Sequence, residues 1–437
     1  MIINGGGAGG TGSDECTARL SDIPAGLKAV TADSNDEAGV GTMTMTGNAQ
    51  AAHVLAGETF YTNNCKTKLT GTMTVNSLLS FSVAAYSGRR VLAKWQNPNQ
   101  AAGKPFSGVI IRYSTSGYPG TTGGTQIYKG AGNNTAAGAW SQTYLDMPAL
   151  NTTYYFSCYP YVTTGGVING IARNVTCKTS GELNKTFTAS GSYTIPGGYN
   201  RMDVYLVGGG GGTLGEPSNY GGGGAGSGYT LTEKSKTIST GQILTVVVGA
   251  GGYGTRAADA AGGASYISGI TQQANGGKGA GAASRAGDGG SGGGVGSHET
   301  DETDYYAGAG GTNGGNGTGY GLNGKGQGTT TRAWGSTTGT LYAGGGGGGG
   351  GGSGSSYTAG GAGGAGGGGA GGRGGYRVYA GDDEYSYYNG ANGVAGTANT
   401  GGGGGGGGYN PYEDTNRGRY HGYSAKGGSG IVLIKLY

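Results

Sequence analysis

The chain has 437 residues, 112 of them glycine and nine proline, and Lys+Arg 27 against Asp+Glu 23 leaves a formal net charge of +4. Length alone allows two to four domains. The glycines, 25 in residues 1–180 and 87 in residues 181–437, form unbroken runs at 344–352 and 401–408 without the Gly-X-Y period and proline of collagen, so a triple helix is excluded.

The near-balanced charge, with no basic tract, also excludes a nucleic-acid footprint, and no eighteen-residue apolar window offers membrane insertion. Residues 1–15, MIINGGGAGGTGSDE, carry neither the basic nor the apolar part of a secretory leader. The protein is therefore expected to be made in a cytosol without a signal peptide. Residues 16–75 hold a short imperfect duplication, GTMTMTG beginning at Gly41 and GTMTV at Gly71, thirty residues apart. In the second copy, AAHVLAGETFYTNNCKTKLT predicts one helical turn at 53–56 and strands at TFY and KLTGTMTV around an Asn63-Asn64 turn. β repeats this small bury little by themselves and are expected to stack on partners or on copies of the chain.

Residues 78–180 run FSVAAY, RRVLAKWQN, SGVIIRYST, TQIYKG, TTYYFSCYPYV and GGVINGIARNVTCKT, strand-like segments separated by turn signals. That pattern predicts a β-sandwich with Trp95 buried between its sheets. Within it WQNP (95–98), VIIRYST (109–115) and LNTTYYF (150–156) resemble a fibronectin type III domain, with Thr153-x-Tyr155 after Leu150 standing where such domains carry a tyrosine corner. None of the four cysteines, Cys16, Cys65, Cys158 and Cys177, forms a CxxC pair, which argues against zinc. Cys158 and Cys177 are read either as a cross-strand pair or as two buried thiols.

Residues 186–437 open with TFTASGSYTIPGGYNRMDVYLVGGGGG (186–212) and close with GGSGIVLIKLY (427–437). Alternating, β-branched strands flow directly into glycine here and again at GQILTVVVGAGG. A flexible tether needs no strong strand at each end. Glycine loses more backbone entropy on ordering than any other residue, on the order of 1–2 kcal/mol each, so an ordered tract must recover it through backbone hydrogen bonds. Extended threefold helices bond to one another only when their axes come close, which glycine alone permits. The expectation is mainly β: N-terminal repeats (1–77), a sandwich (78–180), and a glycine-rich domain (181–437) with a β base and packed polyglycine-II helices.

VYLVGGGGG, GGGGAGSGYT, ILTVVVGAGGYG, GGASYISG and GGSGIVLIKLY, in that order, resemble the glycine-rich domain of bacteriophage tail-fibre and receptor-binding proteins. AAHVLAGETFYTNNCKTKLTGTM (51–73) is similar to repeats common in phage tail proteins. The resemblance implies a virion location and an adhesin whose loops grip a host cell-surface glycan or protein. It also implies N-terminal attachment to other virion tail proteins and a homo-oligomer, a trimer in a fibre. The alternative is a purely structural tail component that binds no receptor.

Between glycine runs lie segments too bulky for a lattice. They hold Tyr305 and Tyr306; Trp334 and Tyr342; Tyr376, Tyr379, Tyr385, Tyr387, Tyr388 and Asn389; and Tyr409, Tyr412, Arg417, Tyr420 and Tyr423. Tyrosine with Asn, Asp and Ser on a rigid base has the chemistry of an antibody paratope, so these are the candidate receptor-binding residues. The competing reading makes the same rings caps on the lattice edge. No enzyme is expected. GGSGG at 289–293 fits G-x-S-x-G, but glycine-rich sequence produces that match by chance, and His53, His298 and His421 are scattered. The acidic runs 301–304 and 382–384 offer carboxylates to calcium, yet exposed acidic runs are ordinarily just solvated, so no metal or cofactor is expected. A depolymerase needs two carboxylates about 5–10 Å apart, drawn from Asp382, Glu384, Glu413 and Asp414.

Overall fold

A computed structural model describes residues 12–163, 168–213, 220–253, 261–281, 284–297, 307–319, 322–353, 355–381, 384–412, 421–423 and 425–437. The protein is mainly β. Among the described residues its only helical structure is four three-residue 3-10 turns, and no helix is long and apolar enough to cross a membrane. The chain divides into two compact units, one ending at Thr179 and one made of Ser180–Tyr437 with Ser87–Arg89.

In the first unit the duplication reaches well beyond GTM. A 3-10 turn at Leu20–Asp22, a strand pair Lys28–Ala29 with Gly39–Val40, and a parallel bridge Pro24–Met43 recur as Ala51–His53, Thr59–Phe60 with Leu69–Thr70, and Leu55–Met73. The backbone bonds repeat with them. Met43 N–H donates to Ile23 O at 3.0 Å and Met73 N–H to Val54 O at 2.9 Å; Thr42 and Thr72 donate to Leu20 O and Ala51 O. The turn expected at 53–56 lies instead at Ala51–His53, because Leu55 is drawn into its bridge with Met73. Each GTM glycine lies against a neighbouring backbone: a Cβ would meet Ile23 O at 2.3 Å on Gly41 and Leu55 O at 2.2 Å on Gly71.

The rest of this unit is a two-sheet sandwich. One sheet joins Ser80–Ser87, Arg90–Gln96 and Trp140–Asp146. The other joins Ile168–Asn169, Thr153–Val162, Gly108–Ser114 and Thr125–Gly130, with Arg173–Lys178 also on Thr153–Val162. Inward residues of both sheets, among them Trp95, Ile111, Leu145, Phe156 and Cys158, form one buried cluster. The tyrosine that turns inward is Tyr154, not Tyr155. Strand alternation buries Tyr154, whose hydroxyl accepts the Ala149 N–H at 2.9 Å, and leaves Tyr155 on the outer face. Cys158 and Cys177 are free thiols. Their strands pair, but Cys158 stands opposite Arg173 and Cys177 opposite Tyr154, so register keeps the sulfurs apart. Burial pushes the Cys158 thiol well up.

In the second unit a four-stranded antiparallel sheet has the order Leu183–Phe187, Ile431–Leu436, Arg201–Val207, Thr230–Thr237. A second sheet joins Gly191–Thr194, Ile243–Val247 and Tyr266–Ile267. From these strands the chain runs into glycine. Residues 344–351 sit inside a cage of six other segments, to which their hydrogen bonds go in steps of three. Gly344, Gly347 and Gly350 donate to Gly366, Gly369 and Gly372; Gly345 and Gly348 to Gly311 and Gly308; Gly346 and Gly349 to Ala225 and Gly222, all at 3.0 Å or less. Their carbonyls accept with the same period, from Gly403, Gly406 and Tyr409, from Gly364, Gly361 and Thr358, and from Gly294 and Ser297.

Three residues per turn with no bond inside the helix is polyproline-II-like geometry, here built of glycine. Six neighbours bonded around one segment make the packing hexagonal, and the buried backbone groups are satisfied without side chains. The close approach dictates the residue type. A Cβ would fall 2.0 Å from Gly404 O on Gly346, 2.0 Å from Gly361 O on Gly347 and 1.9 Å from Val295 O on Gly348.

Candidate functional site

The lattice sends out one well-formed hairpin, Tyr376–Gly381 paired with Glu384–Tyr388. Its stem is fastened on both sides: Gly375 N–H donates to Tyr409 O, and Ala391 N–H donates to Arg373 O at 2.8 Å. Period-two alternation sorts the side chains onto two faces. Tyr376 and Val378 stand opposite Tyr388 and Ser386 on one; Arg377 and Tyr379 stand opposite Tyr387 and Tyr385 on the other.

On the first face the Tyr376 and Tyr388 rings stack at 4.4 Å and 6°. Tyr357 extends the stack at 5.2 Å from Tyr376. The Arg373 guanidinium lies 5.1 Å from the Tyr357 ring and donates to Gly374 O. On the second face Tyr379 meets Tyr385 edge-on at 5.4 Å. Arg377 is held between two rings, 4.4 Å from Tyr385 and 4.5 Å from Tyr412. Such cation–ring contacts fix flat, amphipathic surfaces at low conformational cost. Tyr379 remains 57% exposed, Tyr385 41% and Tyr388 42%, each with a ring face or edge open to solvent.

Most of the sequence-derived residues meet here. Tyr376, Tyr379, Tyr385, Tyr387 and Tyr388 form the hairpin, and the exposed Asn389 follows it with its carbonyl on Arg373. Tyr412 joins through Arg377. Tyr409 stacks on His421 at 5.2 Å, and His421 Nδ1 accepts the Asn410 N–H. Tyr423 is bound to the same lattice edge, its N–H donating to Asn392 Oδ1 at 2.7 Å, with its ring 57% exposed.

Trp334 and Tyr342 make their ring contacts elsewhere. They pack on Tyr205 at 6.2 Å and 5.6 Å, and both are half-buried over the four-stranded sheet. Their role in the fold is to cover that base, so the reading of them as outward loop residues is corrected. Tyr205 donates its hydroxyl to Thr331 O at 2.6 Å, and burial pushes its phenol far up. Tyr305, Tyr306, Arg417 and Tyr420 lie outside the described residues, as do the acidic residues 301–304, 382–383 and 413–414. Among the described residues no three His, Cys, Asp or Glu side chains gather as a metal site.

Sequence reasoning missed Tyr357, Arg373 and Arg377. For Arg373 a signal was present, a bulky residue set between glycines where a lattice of touching backbones leaves no room for it, whereas Tyr357 and Arg377 have no glycine beside them. No curated protein matches the chain. Residues 184–437, which include the base sheet, the lattice and the hairpin, match the family model described as a glycine-rich domain, and with more than half its length so matched the chain belongs to that glycine-rich domain family.

Proposed function

We propose that this protein is an adhesin of a bacteriophage tail fibre or tail tip, binding a glycan or protein on the host bacterial surface. The observation that carries the reading is the tyrosine hairpin, clamped by two arginines and fastened at its stem to a lattice that supplies rigidity without side chains of its own. Rigid rings on an immobile base lose little entropy on contact, as in matured antibody paratopes. The sandwich, with three strands against five, buried Trp95 and the Tyr154 hydroxyl on Ala149, supports a fibronectin type III-like spacer. The two N-terminal modules support attachment to other tail proteins. Each site binds modestly, and several copies on one particle multiply the effect.

The test is binding of the labelled full-length protein to a panel of bacterial strains, against Tyr379→Ser/Tyr385→Ser, with the melting temperature of both recorded. Loss of about tenfold or more in binding at unchanged melting temperature is expected, the cost typical of interface hot spots. Equal binding by the variant removes the hairpin from the site. Failure of the wild-type protein on every strain that the parent phage infects returns the chain to the purely structural reading.

A further inference from the structure

A second set of outward aromatic residues lies in the first unit, on the solvent face of the three-stranded sheet. Of the three tryptophans, Trp95 is fully buried and Trp334 half-buried, whereas Trp140 is 51% exposed. Trp140, Gln142 and Tyr144 alternate along one strand onto the same face, which places Trp140 and Tyr144 about 13 Å apart. Tyr144 is 48% exposed and meets Tyr86 edge-on at 4.9 Å. Between these aromatic ends Lys94 stands directly opposite Gln142.

Beside Trp140 is a hollow of about 490 Å³ lined by Ser82, Lys94, Asn133, Trp140, Ser141 and Gln142. That volume falls within the range of about 300–1,000 Å³ usual for small-ligand sites. Its wall is a loop, residues 131–139, held at its end by backbone bonds, Asn97 N–H to Ala139 O and Gly138 N–H to Pro98 O, and along its length by side chains. Asn97, fully buried, donates to Asn134 O and Ala136 O at 2.9 Å; Gln96 donates to Gly138 O; Ser141 donates to Ala131 O. Asn133 Oδ1 accepts the Gln142 N–H at 2.8 Å, which leaves the Asn133 amide nitrogen pointed away from that bond. Lys94 Nζ, the Gln142 side-chain amide and Ser82 Oγ have no protein partner among the described residues.

We infer that this face is a binding site for a linear acidic saccharide, independent of the tyrosine hairpin and of the adhesin reading. A half-exposed indole stacks on the apolar C–H face of a pyranose ring, and the amides of Gln142 and Asn133 with the Ser82 hydroxyl bond the ring's equatorial hydroxyls. Lys94, placed between the aromatic ends, selects a chain bearing carboxylates. An apolar peptide or helix would strand the Lys94 ammonium and the Gln142 amide without partners, which is costly. Two aromatic platforms along one strand fit an extended oligosaccharide better than a single sugar.

The experiment titrates the full-length protein with defined hexasaccharides, acidic (oligogalacturonate, oligomannuronate, hyaluronan) and neutral (cellohexaose, maltohexaose), by calorimetry. At least one acidic oligosaccharide is expected to bind. Trp140→Ala is expected to weaken that binding about tenfold or more, a change of about 1.4 kcal/mol, and Trp140→Tyr to retain part of it. Lys94→Gln abolishes the preference for acidic over neutral chains, and Tyr379→Ser/Tyr385→Ser leaves the titration unchanged. The inference is overturned if no acidic oligosaccharide binds, or if Trp140→Ala binds as tightly as wild type at equal melting temperature.

Discussion

A Cβ on Gly346 would stand 2.0 Å from the Gly404 carbonyl oxygen, with further backbone behind it. Gly241 is also required to be glycine, but for a different reason: its φ is +78°, while nothing lies within 4 Å of the Cβ position. The two positions therefore separate steric exclusion from backbone preference. Gly241→Ala should cost about 1 kcal/mol, the penalty of the left-handed region. Gly346→Ala pushes two packed backbones apart and should cost more than about 3 kcal/mol, in the range reserved for severe overpacking. Thermal unfolding of the two variants checks this, and equal losses would contradict a lattice held by contact. The same distinction explains the first unit, where Gly41 and Gly71 occupy matching close approaches in the two modules.

Among the elements, the hairpin Tyr376–Gly381 with Glu384–Tyr388 has no third strand beside it, and an isolated two-stranded ribbon is marginal in water. Its rings and arginines supply what a third strand would. Arg377→Met removes the cation held between Tyr385 and Tyr412 and should loosen the hairpin by about 1 kcal/mol. Amide exchange should then quicken by about fivefold at hairpin positions while the lattice amides are unaffected. Uniform quickening would mean that the hairpin is part of the global unit. The strands themselves were legible in the sequence, because alternation and β-branched runs state their own period, and so was the ordered glycine, because strands bracket it. The hairpin tyrosines were legible as residues that a lattice must expel. What sequence could not give was direction. Trp334 turns inward because Tyr205 waits beneath it, and the hydroxyl of Tyr205 reaches Thr331, 126 residues away. Tyr154 and Tyr155 differ only by one step of register, and neighbouring tyrosines carry no mark of which one faces in.

At the scale of the whole molecule, the last strand, Ile431–Leu436, lies between Leu183–Phe187 and Arg201–Val207, so the base of the second unit is completed by residues from both its ends. The intervening glycine segments are thus enclosed by pairings of large sequence separation, and such topologies fold slowly. Above that base the unit hides mostly polar peptide groups. Exposing apolar surface on unfolding raises the heat capacity by about 0.45 cal/mol/K per Å², whereas exposing polar surface lowers it by about 0.26. The lattice should therefore unfold with a heat-capacity increment per residue well below the roughly 12–15 cal/mol/K of ordinary domains, which scanning calorimetry measures directly. An ordinary increment would mean that side chains, not backbone, dominate the burial. With a small increment the stability curve is nearly straight, and the temperature of greatest stability moves downward. A scaffold of this kind softens little in the cold, where proteins held by apolar cores lose their grip.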